Sequence, residues 1–217
     1  MKGLIRNNFY TVEGSLKATL LLSFAAAIVL AIVGKVTGDG GNLFSFIIAG
    51  NLGGFGSLAM TVMQKDAVSK WDKFELTMPV SRKDVVTARY ISCMLYVLIG
   101  VIVSIISVLV FYLVTGSVDL ERVGYGYAFG IGFALAIPTF MIPLVMIFGT
   151  DKTEPLMLVS VVAGLLLFFG SSKIMTPFLK DVTNANLIFR LSYMAFSVML
   201  FLVSYLLSCW IYKKKEL

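Results

Sequence analysis

Long apolar runs alternate with short polar breaks along this chain, and that alternation dominates every other pattern in it. Six apolar runs follow one another, at about 18–36, 43–63, 90–114, 124–148, 156–169 and 187–212. A helix needs about 20 apolar residues to cross a hydrocarbon core of ~30 Å, so each run reads as a membrane-spanning helix. The fifth is the shortest and can extend toward Ile174. Ahead of the first run, Ile5, Phe9, Val12 and Leu16 recur at intervals of four, three and four, with Lys2, Arg6, Glu13 and Lys17 around them. That spacing sets one apolar face on a helix over residues 1–17, the pattern of a helix lying in the membrane interface. Its spread charges and the lack of a small-residue cleavage site do not fit a secretory signal. The expected fold is all-α: a polytopic membrane protein of six transmembrane helices, one domain over residues 1–217, with the amphipathic helix at its N-terminus.

The breaks carry turn chemistry. Thr37-Gly38-Asp39-Gly40-Gly41 and Thr115-Gly116-Ser117 end spans one and three. In Thr150–Pro155, Asp151 or Thr153 is placed to cap the fifth helix, and Pro155 suits its first turn. A looser stretch, 173–186, precedes the sixth span. Gly50, Gly53, Gly54 and Gly56 cluster in the second span. They either let helices approach closely or break a helix along a transport path, and close packing is the reading favoured. Pro138 and Pro143 in the fourth span each remove a ladder hydrogen bond and are expected to bend it.

Composition narrows the function. The chain is 59% hydrophobic and 14% charged with a mean hydropathy of +0.93, more apolar than a water-facing surface of 217 residues permits. It contains no histidine, which removes Ser-His-Asp catalysis and histidine-based zinc sites. Cys93 and Cys209 lie far apart in apolar surroundings and form no disulfide framework. With the N-terminus inside, thirteen Lys and Arg fall on the inner side of the membrane and five on the outer side. Cytosolic loops carry such an excess, so both termini and the 64–89 loop are expected in the cytosol, and the +6 charge needs no nucleic acid. No Asp, Glu, Lys or Arg sits at the centre of a span, which argues against an ion-coupled carrier and an intramembrane aspartyl protease. No GxxxxGK followed by Ser or Thr is present, so the chain is not expected to hydrolyse ATP. A transporter-like body without an energy source implies a partner. No catalytic residue, metal ligand or substrate-contacting residue emerges.

The polar segment from Gln64 to Asp84 differs from everything around it. Ser69 and Asp72 stand in capping-box spacing, and Trp71 and Phe74 then share a helical face, followed by Leu76 and Met78. Pro79 breaks that piece, and Ser81-Arg82-Lys83-Asp84 repeats the capping-box spacing at the start of the third span. An interfacial helix that rests its aromatics on lipid headgroups is one reading of this segment.

The run Trp71-Asp72-Lys73-Phe74-Glu75-Leu76-Thr77-Met78-Pro79-Val80-Ser81-Arg82-Lys83-Asp84-Val85-Val86 resembles a W-D-x-Y/F-x-x-S/T-L/M-P-V/I-S/T-R-x-x-I/V-V loop. That loop belongs to small six-span permeases of the type 2 ABC exporter class, and in particular to the membrane subunits of phenol-soluble-modulin exporters of Gram-positive bacteria. The motif lies between the second and third spans there too. The resemblance implies a permease domain in the bacterial plasma membrane that pairs with a second permease, identical or a sister chain, and docks cytosolic ATPase subunits. ATP and magnesium would then belong to the ATPase, with no cofactor in this chain. The 64–89 loop would be a coupling helix seated in a groove of the ATPase. Trp71 and Phe74 would be its apolar anchors, with Leu76 beside them. Lys70, Asp72, Glu75, Arg82 and Lys83 would form a polar rim, and Pro79 would fix the corner. Implied substrates are amphipathic, cytolytic or antimicrobial peptides, or similar hydrophobic molecules. The alternatives are a stand-alone protein giving immunity to an antimicrobial peptide and an ion-coupled secondary carrier.

Overall fold

A computed structural model describes residues 2–37, 40–75, 77, 79–116, 119–175, 177 and 185–214, with the backbone alone at 40–42 and 72–73. Among these residues the secondary structure is helical, without a strand. Six helices have the length and hydropathy to cross a membrane: Glu13–Thr37, Leu43–Ser69, Arg82–Thr115, Leu120–Phe148, Thr150–Met175 and Ala185–Lys214. In chain order the elements are α1 (Lys2–Thr11), α2 (Glu13–Thr37), α3 (Gly40–Gly56), α4 (Leu58–Ser69), α5 (Trp71–Glu75), α6 (Arg82–Thr115), α7 (Leu120–Phe148), a 3-10 turn (Thr150–Lys152), α8 (Thr153–Met175) and α9 (Ala185–Lys214). The protein is an all-α polytopic membrane protein.

Local signals set most helix ends. Ser81 is extended and its hydroxyl accepts from the Asp84 N–H at 3.1 Å, the N-cap that the sequence predicts for the third span. Gly116 closes that helix in the left-handed region, φ 76°, where a side chain would be strained. Asp119 caps α7 by accepting from the N–H groups of Glu121 and Arg122.

Two ends differ from the sequence reading. The first span begins at Glu13, and the fifth runs 26 residues and is not the shortest. Both begin with polar first turns, which a search for apolar runs passes over. Thr153 turns its hydroxyl back to the Thr150 carbonyl and closes the turn ahead of α8.

α3 and α7 form the middle of the bundle, while α2, α8 and α9 turn most of their apolar surface outward. Close approach follows from missing side chains. A Cβ at Gly130 of α7 would stand 2.6 Å from Leu52 Cδ1 of α3, and one at Gly132 would stand 2.7 Å from the Tyr193 ring of α9. In lipid, where apolar bulk gives no preference for protein over acyl chains, such fits are what hold helices together.

The glycines of the second span are not equivalent. Gly56 sits against Ala134 of α7, its missing Cβ 3.0 Å from that of Ala134, as close packing predicts. Gly50 and Gly53 have nothing that near. The helix is also interrupted, at Ser57, whose hydroxyl donates to the Gly54 carbonyl at 2.8 Å in competition with the backbone ladder.

α7 continues helical through both prolines. Pro143 has no N–H, so the Thr139 carbonyl loses its usual donor four residues on. Ser204 of α9 supplies it, donating to Thr139 O at 2.6 Å. Tyr90 of α6 in turn bonds Ser204 at 2.7 Å and Ser208 at 2.8 Å. Three helices are thereby tied at one proline.

α1 corrects a further expectation. Its inner face packs on protein at one end of the bundle, and the helix ends at Thr11, short of the predicted Lys17. Leu4 clusters with Val85 and Ala88 of α6, and the Phe9 ring lies 4.9 Å from that of Tyr96. Asn8 donates to Ser92 at 3.0 Å, and its carbonyl accepts from the Tyr96 hydroxyl at 3.0 Å. The predicted stripe omitted Leu4 and Asn8, the two buried residues of α1.

Candidate functional site

Polar chemistry concentrates at the bundle end where α1, the start of α6 and Tyr212 of α9 come together. α4 arrives there and stops at Ser69. Lys70 adopts φ 54°, ψ 31°, the left-handed conformation that ends a helix, and its N–H returns to Ala67 O at 3.3 Å. The Ser69 hydroxyl donates backward to Lys65 O at 2.8 Å, so it belongs to α4. The expected capping box from Ser69 to Asp72 is therefore replaced by a left-handed hinge at Lys70.

The chain restarts as α5, a single helical turn. Thr77 closes it by sending its N–H and hydroxyl to Phe74 O at 3.0 and 2.7 Å. Trp71 and Phe74 do share a face, their ring centroids 5.2 Å apart and inclined at 44°. Phe74 is 55% exposed, a large apolar surface for a residue beside charged neighbours. Lys70, Pro79 and Lys83 are exposed as well. Leu76 and Met78 lie outside the described residues, as does the Asp72 side chain.

Two residues expected on a polar rim are turned inward. Glu75 is only 6% exposed and meets Arg89 of α6, Oε2 to Nη2, at 3.2 Å. The same Nη2 lies 3.7 Å from Asp66 Oδ2 of α4, and the Arg89 side chain is 10% exposed. Arg82 is half-buried and donates to the Tyr212 carbonyl at 3.2 Å, tying the start of α6 to the end of α9. Glu75 and Arg82 thus hold the elbow onto the body from within.

Burial decides what the triad is worth. Removing one partner of a buried ion pair costs about 3–5 kcal/mol, because the remaining charge is left desolvated. An exposed pair such as Lys17–Glu13, at 2.7 Å with both side chains more than half exposed, is mostly screened by water.

Sequence reasoning counted Arg89 only as one more inner-side cation. The signal it missed is positional: Arg89 stands seven residues inside α6, where the chain is already becoming apolar, and a cation so placed needs a counterion. That Asp66 and Glu75 supply the counterions is a tertiary fact, invisible in the order of residues. Beside the triad, Asn8, Arg89, Ser92 and Tyr96 line a small cavity under α1. Among the described residues, no group of three or more His, Cys, Asp or Glu could hold a metal ion.

Six helices of the length and hydropathy to cross a bilayer, with a buried Arg89–Asp66–Glu75 cluster at one end of the bundle, define a polytopic membrane protein. Residues 3–213 match the family described as ABC-2 family transporter protein, and the chain belongs to that family as its membrane-embedded permease subunit. A search among curated proteins found no match to the chain.

Proposed function

We propose that this permease is the membrane half of an ATP-driven exporter and receives its power stroke from a separate cytosolic ATPase seated on α5. The observation that carries this reading is the division of α5 into two faces. Trp71 and Phe74 pair with Phe74 exposed, while Glu75, the residue after Phe74, is fixed inward on a buried arginine. An exposed Phe74 packed against a partly buried Trp71, with Lys70 and Lys83 exposed in the same segment, has the composition of an interface anchor and its rim. A helix that only floated its rings among lipid headgroups would need no buried ion pair behind them.

The inner-side excess of Lys and Arg supports a cytosolic position for this end and for both termini, in a bacterial plasma membrane. ATP is bound with magnesium and hydrolysed on the partner. Two permeases, identical or sister chains, enclose the path. The resemblance in the loop supports amphipathic or cytolytic peptides as substrates.

The test is uptake of a fluorescent cationic amphipathic peptide by inside-out vesicles containing the permease and an ATPase that co-purifies with it. We expect uptake that requires ATP hydrolysis and stops when the P-loop lysine of the ATPase is replaced. Protection of cells against such a peptide that persists without any ATPase contradicts the proposal and indicates immunity by sequestration. Flux driven by an ion gradient alone contradicts it in favour of a carrier.

A further inference from the structure

We infer that Arg89 is the positioning residue through which load on α5 reaches the membrane spans. The inference rests on the reading of α5 as the ATPase contact and names the residue that makes that contact productive. α5 has five residues, too few to persist as a helix by its own hydrogen bonds. Its entry is a left-handed hinge at Lys70, and the residues from Pro79 to Ser81 beyond it are not helical. A segment of this kind pivots under load unless something fixes it to the body. Glu75 does so, and it reaches Arg89, which also reaches Asp66. One guanidinium therefore joins three elements, α4, α5 and α6, within 4 Å.

From Arg89 the route into the membrane is covalent or hydrogen-bonded at each step. Arg89 lies on α6, 34 residues of continuous helix. The next residue, Tyr90, bonds Ser204 and Ser208 of α9, and Ser204 holds the Thr139 carbonyl that Pro143 leaves without a donor. On the other side, the cavity that Arg89 lines is walled by Asn8 of α1 and by Tyr96, whose hydroxyl bonds the Asn8 carbonyl. A buried ion pair is seldom the most stable way to fill its space, and its best-attested use is to fix one geometry among several. Here that geometry is the angle of α5 to the two spans it joins. Contiguity of this kind becomes evidence of coupling only when breaking one link changes the response at the far side.

Hydrogen–deuterium exchange on the permease–ATPase complex, compared without nucleotide and trapped with ATP and vanadate, reads that response without a transported substrate. In the wild-type complex, trapping is expected to change exchange in 70–75 and also in 60–69 and 85–100. With Arg89→Gln or Glu75→Gln, the ATPase is expected to remain bound, because Trp71 and Phe74 are untouched. The change in 70–75 persists, and that in 60–69 and 85–100 falls by about tenfold. The exchanged pair Glu75→Arg with Arg89→Glu restores the change in 85–100 at least in part, though not that in 60–69, because a carboxylate at position 89 cannot pair with Asp66; a merely volumetric role for Arg89 predicts no such restoration. Glu75→Gln keeps the Arg89–Asp66 pair and so provides a folded variant should Arg89→Gln misfold. A wild-type complex showing no change in 85–100, or Glu75→Gln and Arg89→Gln complexes responding like wild type, overturns the inference and leaves the docking reading standing. Loss of ATPase binding in Glu75→Gln also overturns it, since the triad would then be part of the docking surface. Retained ATPase binding after Trp71→Ala with Phe74→Ala is the separate failure of the docking reading.

Discussion

Ser204 occupies an ordinary position on α9, a small hydroxyl among large apolar residues, yet it answers a fault made on a different helix. Pro143 removes an N–H from α7, and the Thr139 carbonyl would be left bare in a region without water. Ser204→Ala is therefore expected to cost about 1–3 kcal/mol, the penalty for a buried acceptor without a partner. Pro143→Ala restores a backbone donor to the same carbonyl, so the double variant should recover much of the loss. Thermal unfolding of the four proteins in one detergent measures the cycle, and strict additivity would contradict the assignment. At this scale sequence legibility depends on distance. The Ser81 cap was readable because donor and acceptor are three residues apart. Ser204 and Thr139 are 65 apart, and Arg89 and Asp66 meet only once the chain has turned at Lys70. The resemblance placed Glu75 on the rim, whereas its neighbour in space is Arg89.

α7 shows why helices in lipid are specified by their smallest residues. Its glycines are not equivalent: a Cβ at Gly132 would strike the Tyr193 ring at 2.7 Å, while one at Gly124 would meet nothing within 4 Å. Gly132→Ala is expected to lower stability by about 1–3 kcal/mol through overpacking, and Gly124→Ala to be neutral or stabilising by up to about 1 kcal/mol. Midpoints of unfolding in a shared detergent decide between this account and one in which all α7 glycines act through flexibility. The six spans themselves were legible because bilayer thickness dictates how many apolar residues a crossing needs. Their ends were less so, since Glu13 and Thr150 begin membrane helices with polar first turns. The packing of α1 was hidden for a different reason. An amphipathic face reports that something apolar covers it, and lipid and α6 satisfy the pattern equally well.

The whole molecule gathers its buried charge at one end. With six spans, the chain's first helix and the end of its last lie on the same side, and α1, the α5 elbow and Tyr212 gather there. The spans bury glycine contacts and hydroxyl networks, while the buried Arg89–Asp66–Glu75 triad stands at the elbow, consistent with a permease that is driven from outside the membrane. Membership of the ABC-2 transporter family covers nearly the full chain, but a family says little about which residues carry the drive. The proposal rests on the elbow, where Phe74 is exposed, Glu75 faces in, and both belong to one helical turn. The central claim is that this turn is where the ATPase sits. Its most direct measurement is co-purification of the ATPase with wild-type permease and with the Trp71→Ala, Phe74→Ala double variant, in matched detergent and with unfolding midpoints recorded for both. We predict that the double variant is destabilised mainly through the partly buried Trp71 yet still folds, and that it retains less than about a tenth of the bound ATPase. Undiminished ATPase binding by a folded double variant would contradict the account.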